Sequence, residues 1–220
     1  TRYGIPADKI SVIHNGVEAQ NFNQKNSSIN KFLELKAQGY KIVLFVGRIT
    51  MQKGPDYFIN AAAKVLEHNP KVYFIVAGSG DMENQMIRHA ASLGISDKVL
   101  FAGFVRGQEL NDLYSVADLY VMTSVSEPFG ITPLEAVASG TPVLISKQSG
   151  VSEVLSHALK ADFWDVDDIA DKIISVISHD ALGETLRRNA TEQLVFINWD
   201  RAAEKCADLY KKMLSWIKRR

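Results

Sequence analysis

The sequence predicts a doubly wound α/β fold, one parallel sheet with helices on both faces. Three observations carry this. Runs of four to six apolar residues recur at 42–46, 72–77, 99–102, 119–123 and 143–146, without the polar alternation of a half-exposed strand. Segments with helical periodicity separate them. The links are short and carry Gly or Pro, as strand–helix–strand units with right-handed crossovers require.

In order, residues 10–13 (Ile-Ser-Val-Ile) read as a short strand ending in the turn His14-Asn15-Gly16-Val17. Residues 18–30 are polar and Asn-rich, so 1–30 reads as a linker-like lead-in, followed by a helix over 30–37. The strand 42–46 ends at Gly47-Arg48, and Lys53-Gly54-Pro55 starts a helix. That helix aligns Phe58, Ala61, Ala62, Val65 and Leu66 before Asn69-Pro70 stops it. Strand 72–77 runs into Gly78-Ser79-Gly80, and a helix from 82 aligns Met82, Met86, Ala90 and Leu93, with Gly94 at its end. After strand 99–102, a helix over 107–117 turns Leu110, Leu113, Tyr114 and Ala117 inward. Strand 119–123 leads to a short helix beginning near Gly130, with Pro133 in its first turn and Gly140 after its end. Strand 143–146 and helices at 150–156, 167–178, 180–192 and 200–218 complete a single domain, 1–220. No repeat or low-complexity tract interrupts it.

Composition narrows the function. Hydrophobic residues make up 46% and charged residues 23%, and 25 Lys and Arg balance 25 Asp and Glu. No molecule-wide field recruits nucleic acid or a membrane; the locally basic Lys211, Lys212 and 218–220 read as a solvated helix end, with a membrane-surface role as the alternative. The single cysteine, Cys206, allows neither an internal disulfide nor a cysteine metal cluster. It falls on one helical face with Ala203, Tyr210 and Leu214 and is expected to be a buried thiol; the three Trp read as packing residues. No apolar stretch reaches transmembrane length and no signal peptide is visible, so a cytoplasmic protein is expected, free or at a membrane surface. A start at Thr-Arg-Tyr rather than Met points to a segment of something longer.

The chemistry concentrates in residues 124–140. The first turn of a helix leaves backbone N–H groups unpaired and adds partial positive charge. Gly130, with no Cβ, lets a phosphate approach the N–H groups of Ile131 and Thr132. Glu127 and Glu135 bracket this turn, a pattern that suits a diphosphate with hydroxyl-bearing sugars at both ends. Ligands of doubly wound sheets sit outside the carboxyl ends of the strands. Arg48 and Lys53, Gly78 and Gly80, Val105 and Arg106, and Glu127 each follow such a strand. Arg48 and Lys53 lie five apart on a loop, which favours a shared diphosphate over a pairing along one helix. Gly47 to Gly54 lacks the Gly-Lys-Ser/Thr order of a Walker A loop, and Gly78-Ser79-Gly80 is half a dinucleotide fingerprint, with Glu83 at the third glycine. His14 reads as a turn residue, and His157 beside Glu153 carries no reading.

The stretch Glu127-Pro-Phe-Gly-Ile-Thr-Pro-Leu-Glu135 resembles the Glu, seven residues, Glu motif of the group 1 retaining glycosyltransferases of the GT-B fold. Also matching are His14-Asn-Gly-Val17, Val46-Gly-Arg48 with Lys53-Gly54, Val76-Ala-Gly-Ser-Gly80, Val99-Leu-Phe-Ala-Gly-Phe104, Ala117-Asp-Leu-Tyr-Val121 and Gly140-Thr-Pro-Val143. The resemblance implies one Rossmann-like half of that fold, the half that binds the donor, with the acceptor domain absent. It implies that Arg48 and Lys53, with Gly47, Gly78 and the Phe129-Gly130-Ile131-Thr132 turn, surround the diphosphate of a nucleotide sugar such as a UDP sugar. Glu135 would bind the ribose hydroxyls, Glu127 the donor sugar, and the backbone at Val105 and Arg106 the base. A hexosyl group would pass with retention to a glycan, lipid or small-molecule acceptor on the missing domain. Neither a cofactor nor a metal is expected. The sequence departs from the family after Ser149–Glu153, where His157-Ala-Leu-Lys-Ala-Asp-Phe-Trp replaces a Gly-containing segment, and the family's contacts there do not transfer. The alternatives are a nucleotide-sugar epimerase on the same fold and a non-catalytic nucleotide-sugar binding module. Product analysis separates the first from a transferase, and turnover of any kind excludes the second.

Overall fold

A computed structural model describes residues 4–17 and 29–217. The predicted linker lies outside these residues over 18–28, as does the basic end 218–220.

The elements run α1 (Asn30–Ala37), β1 (Lys41–Val46), α2 (Pro55–His68), β2 (Val72–Ala77), α3 (Glu83–Ser92), β3 (Val99–Gly103), α4 (Gln108–Val116), β4 (Leu119–Met122), α5 (Thr132–Ala138), β5 (Val143–Ser146), β6 (Leu159–Ala161), α6 (Val166–Ser178), α7 (Asp180–Leu194) and α8 (Trp199–Ile217). The six strands form one parallel sheet in the order β3-β2-β1-β4-β5-β6. This is a Rossmann-like sheet, and its order reverses between β1 and β4, where Val43 pairs with Leu119 and Leu44 with Tyr120.

Side chains alternate across a strand, so continuous apolar runs feed two cores. Ile42, Leu44, Ile75, Tyr120 and Ile145 pack under Phe32 of α1, Tyr114 of α4, Leu134 and Val137 of α5 and Leu194 of α7. Val43, Phe45, Phe74, Val121 and Leu144 pack under Phe58 and Val65 of α2, Met86 of α3 and Ile173 of α6. Leu66 and Met82 sit half-exposed at the edge of this second core, and Leu93 is exposed beside Gly94.

Five expectations need correction. Residues 10–13 are not a strand: they pair with no strand among the described residues, Ile10 is 46% and Val12 69% exposed, and the segment docks instead through Val17 N–H to Ile197 O (3.2 Å). The helix expected near 150–156 is one 3-10 turn, Gly150–Glu153, because the Ser152 carbonyl accepts from Lys160 Nζ and the Val154 carbonyl from Gln193. The chain then forms β6, parallel to β5. The central helix starts at Thr132 rather than Gly130, whose φ of +102° lies in the left-handed region. Cys206 is half-buried rather than buried, since α8 holds Ala203, Tyr210 and Leu214 exposed. Trp164 (57% exposed) and Trp199 lie at the surface rather than in either core, Trp164 packing edge-on against the Phe163 ring, and the Trp216 side chain lies outside the described residues. Among the described residues no helix is long and apolar enough to cross a membrane.

Candidate functional site

Two loops meet at the carboxyl ends of β1 and β4. Thr123 Oγ1 donates to Gly54 O (2.7 Å), Val125 N–H to Gln52 O (2.9 Å), and the Gln52 side chain to Ser126 O (3.0 Å). The approach is close: a Cβ on Gly54 would stand 2.4 Å from Thr123 O, so only glycine passes there, at φ +59°. This stitching brings Lys53 Nζ against Glu127 Oε2 as an ion pair between largely buried side chains.

Behind Glu127 lies the loop after β5. Gly150 N–H donates to Glu127 O (3.0 Å) and Val151 N–H to Phe129 O (2.7 Å), extending the sheet by a bridge between Glu127 and Ser149. Gly130 turns the chain into α5, where a Cβ would press on Glu127 Cγ at 3.2 Å. Ile131 is exposed and Thr132 half-buried.

The first turn of α5 is held from below by two core tyrosines. Tyr120 O–H and Thr132 Oγ1 are 2.8 Å apart, and Tyr114 O–H donates to Glu135 Oε2 at 3.0 Å. The two rings pack 6.0 Å apart. Burial pushes the Tyr114 phenol well above the ordinary tyrosine value, with Tyr120 and then Glu135 adding to it. Burial raises Tyr120 as well, against the bond to Thr132. Both therefore stay protonated.

Of the residues singled out in the sequence, the structure joins Lys53 to Glu127 directly. Arg48 lies exposed on the same loop, its guanidinium 3.3 Å from Gln52 Oε1. Gly47 and Gly78 meet back to back: Gly78 has φ +147°, and a Cβ on it would lie 1.9 Å from Gly47 O. Gly78 N–H donates to Gly103 O (2.7 Å), so β1, β2 and β3 end on one rim. Val105 is buried and Arg106 exposed beyond β3, with β2 and β1 between that strand and β4, which leads to Glu127. Neither side chain has a hydrogen bond to the other candidate residues among those described.

Sequence reasoning missed Tyr114, Tyr120 and His14. The His14 ring stacks on Phe129 (5.7 Å between centroids) and its Nε2 lies 3.2 Å from Glu153 Oε2. The apolar periodicity that placed Tyr114 inward gave no sign of its hydroxyl, and nothing local to His14 points 139 residues ahead to Glu153.

The family model for glycosyl transferases group 1 matches residues 26–193. The chain belongs to that family. Its relatives include an uncharacterized glycosyltransferase of Methanocaldococcus jannaschii, 38% identical over 95% of this chain and 55% of its own length. A D-inositol 3-phosphate glycosyltransferase of Mycolicibacterium smegmatis is 33% identical over 94% of this chain and 48% of its own. The chain thus spans about half the length of the curated relatives it matches. Among solved structures, Anabaena HepE, determined with UDP and glucose, superposes with a TM-score of 0.82 at 24% identity, over 96% of this chain and 59% of that one. The fold is one half of the GT-B fold of the group 1 enzymes.

Proposed function

We propose that the chain is the donor-binding half of a retaining glycosyltransferase that takes a hexosyl group from a nucleotide-diphosphate sugar. The observation that carries this reading is the meeting of Lys53 and Glu127 at the point where the strand order reverses, the place where open α/β sheets hold ligands. Arg48 and Lys53 take the diphosphate with the N–H groups of Ile131 and Thr132, beside Gly47, Gly78, Phe129 and Gly130. Glu135 takes the ribose hydroxyls, Glu127 the donor sugar, and the backbone at Val105 and Arg106 the base.

The chemistry asked of these groups is modest. The bond from the sugar carbon to the diphosphate breaks, and negative charge grows on the departing oxygen. Fixed cations and N–H groups lower the barrier where that charge develops. Glu127 pairs with Lys53, so a diphosphate must draw the ammonium away. The acceptor, a glycan, lipid or small molecule, is held by a domain outside these 220 residues. No metal is invoked.

The test is thermal unfolding of the chain with UDP-, GDP- and ADP-sugars, followed by anomeric analysis of the product made by the longer protein. A melting temperature that none of the three donors moves counts against the reading, and an inverted product counts against retention.

A further inference from the structure

We propose that Tyr114 is a positioning residue for the ribose end of the site, its buried hydroxyl fixing Glu135 so that the second carboxylate oxygen is kept for ribose hydroxyls. The proposal deepens the reading of the chain as a nucleotide-sugar binder and rests on it.

Tyr114 is fully buried on α4, and its O–H donates to Glu135 Oε2 at 3.0 Å from 21 residues away in sequence. A Phe would fill the same space in the core. A buried hydroxyl without a partner is costly, so this one is accounted for by Glu135. The carboxylate is satisfied on one side only: Oε1 has no hydrogen bond among the described residues, and Glu135 is half-buried rather than enclosed. The backbone around it is pinned as well, because Ser139 Oγ donates to Glu135 O (2.9 Å) and Thr141 Oγ1 to Tyr114 O. Glu has three rotatable side-chain bonds, and freezing them at the moment of binding would subtract from affinity. Tyr114 freezes them beforehand. Burial keeps the phenol protonated through the physiological range, so the donor is always present.

The experiment is Tyr114→Phe, which removes one oxygen and keeps the ring, measured by calorimetry with UDP, GDP and ADP and with the 2′,3′-dideoxy form of each. Wild type is expected to prefer the ribose form of its nucleotide. Tyr114→Phe should weaken that form about two- to tenfold, the range for losing one preordered side chain, and leave the dideoxy form unchanged. Equal weakening of both forms, or an unchanged preference, makes Tyr114 a purely structural residue and overturns the proposal while the donor-binding reading stands. A wild type that binds none of the nucleotides, or shows no ribose preference, overturns the reading and the proposal together. The same substitution in a Glu135→Ala background should have no effect on nucleotide affinity. A loss that persists there also overturns the proposal.

Discussion

Lys53 and Glu127 form an ion pair across 74 residues of chain, between side chains that are 19% and 11% exposed. An exposed pair of this kind contributes little, but a sequestered one leaves an uncompensated charge when either partner goes. The pair fixes the loop after β1 to the loop after β4; under the proposed function it also competes with a diphosphate for Lys53.

Opposite signs are expected for the two partners and for Arg48. Glu127→Gln should lower the melting temperature, because Lys53 loses its counter-charge, yet bind UDP at least as tightly as wild type, because the diphosphate no longer competes with a carboxylate. Lys53→Ala and Arg48→Ala should each weaken UDP by roughly 10- to 100-fold, the range for a charge-assisted hydrogen bond, and leave uridine nearly unchanged. Calorimetry on the three variants decides the matter. Weaker UDP binding by Glu127→Gln would show that the carboxylate does not compete for Lys53.

Much of the sheet was legible because burial on both faces erases polar alternation. Val72–Ala77 needs no partner to be recognised as a covered strand. Leu159–Ala161 was not legible, since three residues with Lys160 at the centre carry no apolar run, and its pairing with β5 is decided by packing. The reverse error came at Ile10 and Val12, β-branched residues that the fold leaves in solvent. In the site, Glu127, Glu135, Arg48 and Lys53 stood out by residue type after a strand. Their pairings did not, because the Lys53–Glu127 and Tyr114–Glu135 contacts are long-range and leave no local pattern.

Gly78→Ala tests whether the rim is built by backbone contact. The added Cβ would stand 1.9 Å from the Gly47 carbonyl oxygen, and φ at Gly78 is +147°. Neither neighbour is a flexible side chain, so the strands must part. A loss of more than about 3 kcal/mol is expected in urea unfolding, since steric overlap adds to the ~1–3 kcal/mol of the unfavourable backbone conformation. A change below about 1 kcal/mol, the size of an ordinary point substitution, would mean that β1 and β2 end further apart.

Tyr114 and Tyr120 give the stability a signature at alkaline pH. Both have folded values raised above the ordinary one, chiefly by burial. The unfolded chain releases these protons near pH ~10 while the folded chain holds them, so the folded state binds more protons above that pH. Their contribution is complete below pH ~10 and is lost as pH rises toward the folded values. The melting temperature should fall steeply above pH 10, and less steeply in Tyr114→Phe and Tyr120→Phe. Identical slopes in all three chains would show that other groups control the alkaline limb.

The last expectation concerns the 220-residue chain by itself. Six strands bury side chains into two cores, so cooperative unfolding is expected. All the groups assigned to phosphate, ribose and base lie within it, so a nucleoside diphosphate at about 100 times its dissociation constant should add roughly 2.7 kcal/mol of stability. Sugar transfer should nevertheless be absent. The rim that carries Arg48, Phe104 and Ile131 is open on its outer side, with all three residues exposed. Among the described residues, these three leave the outer side of the rim open to water, which a reacting sugar must be shielded from. Donor hydrolysis and transfer assays on this chain, beside thermal shifts with the same nucleotide sugars, separate binding from catalysis. Efficient transfer by these residues alone would place the acceptor site within this half of the fold and overturn the division of labour proposed for it.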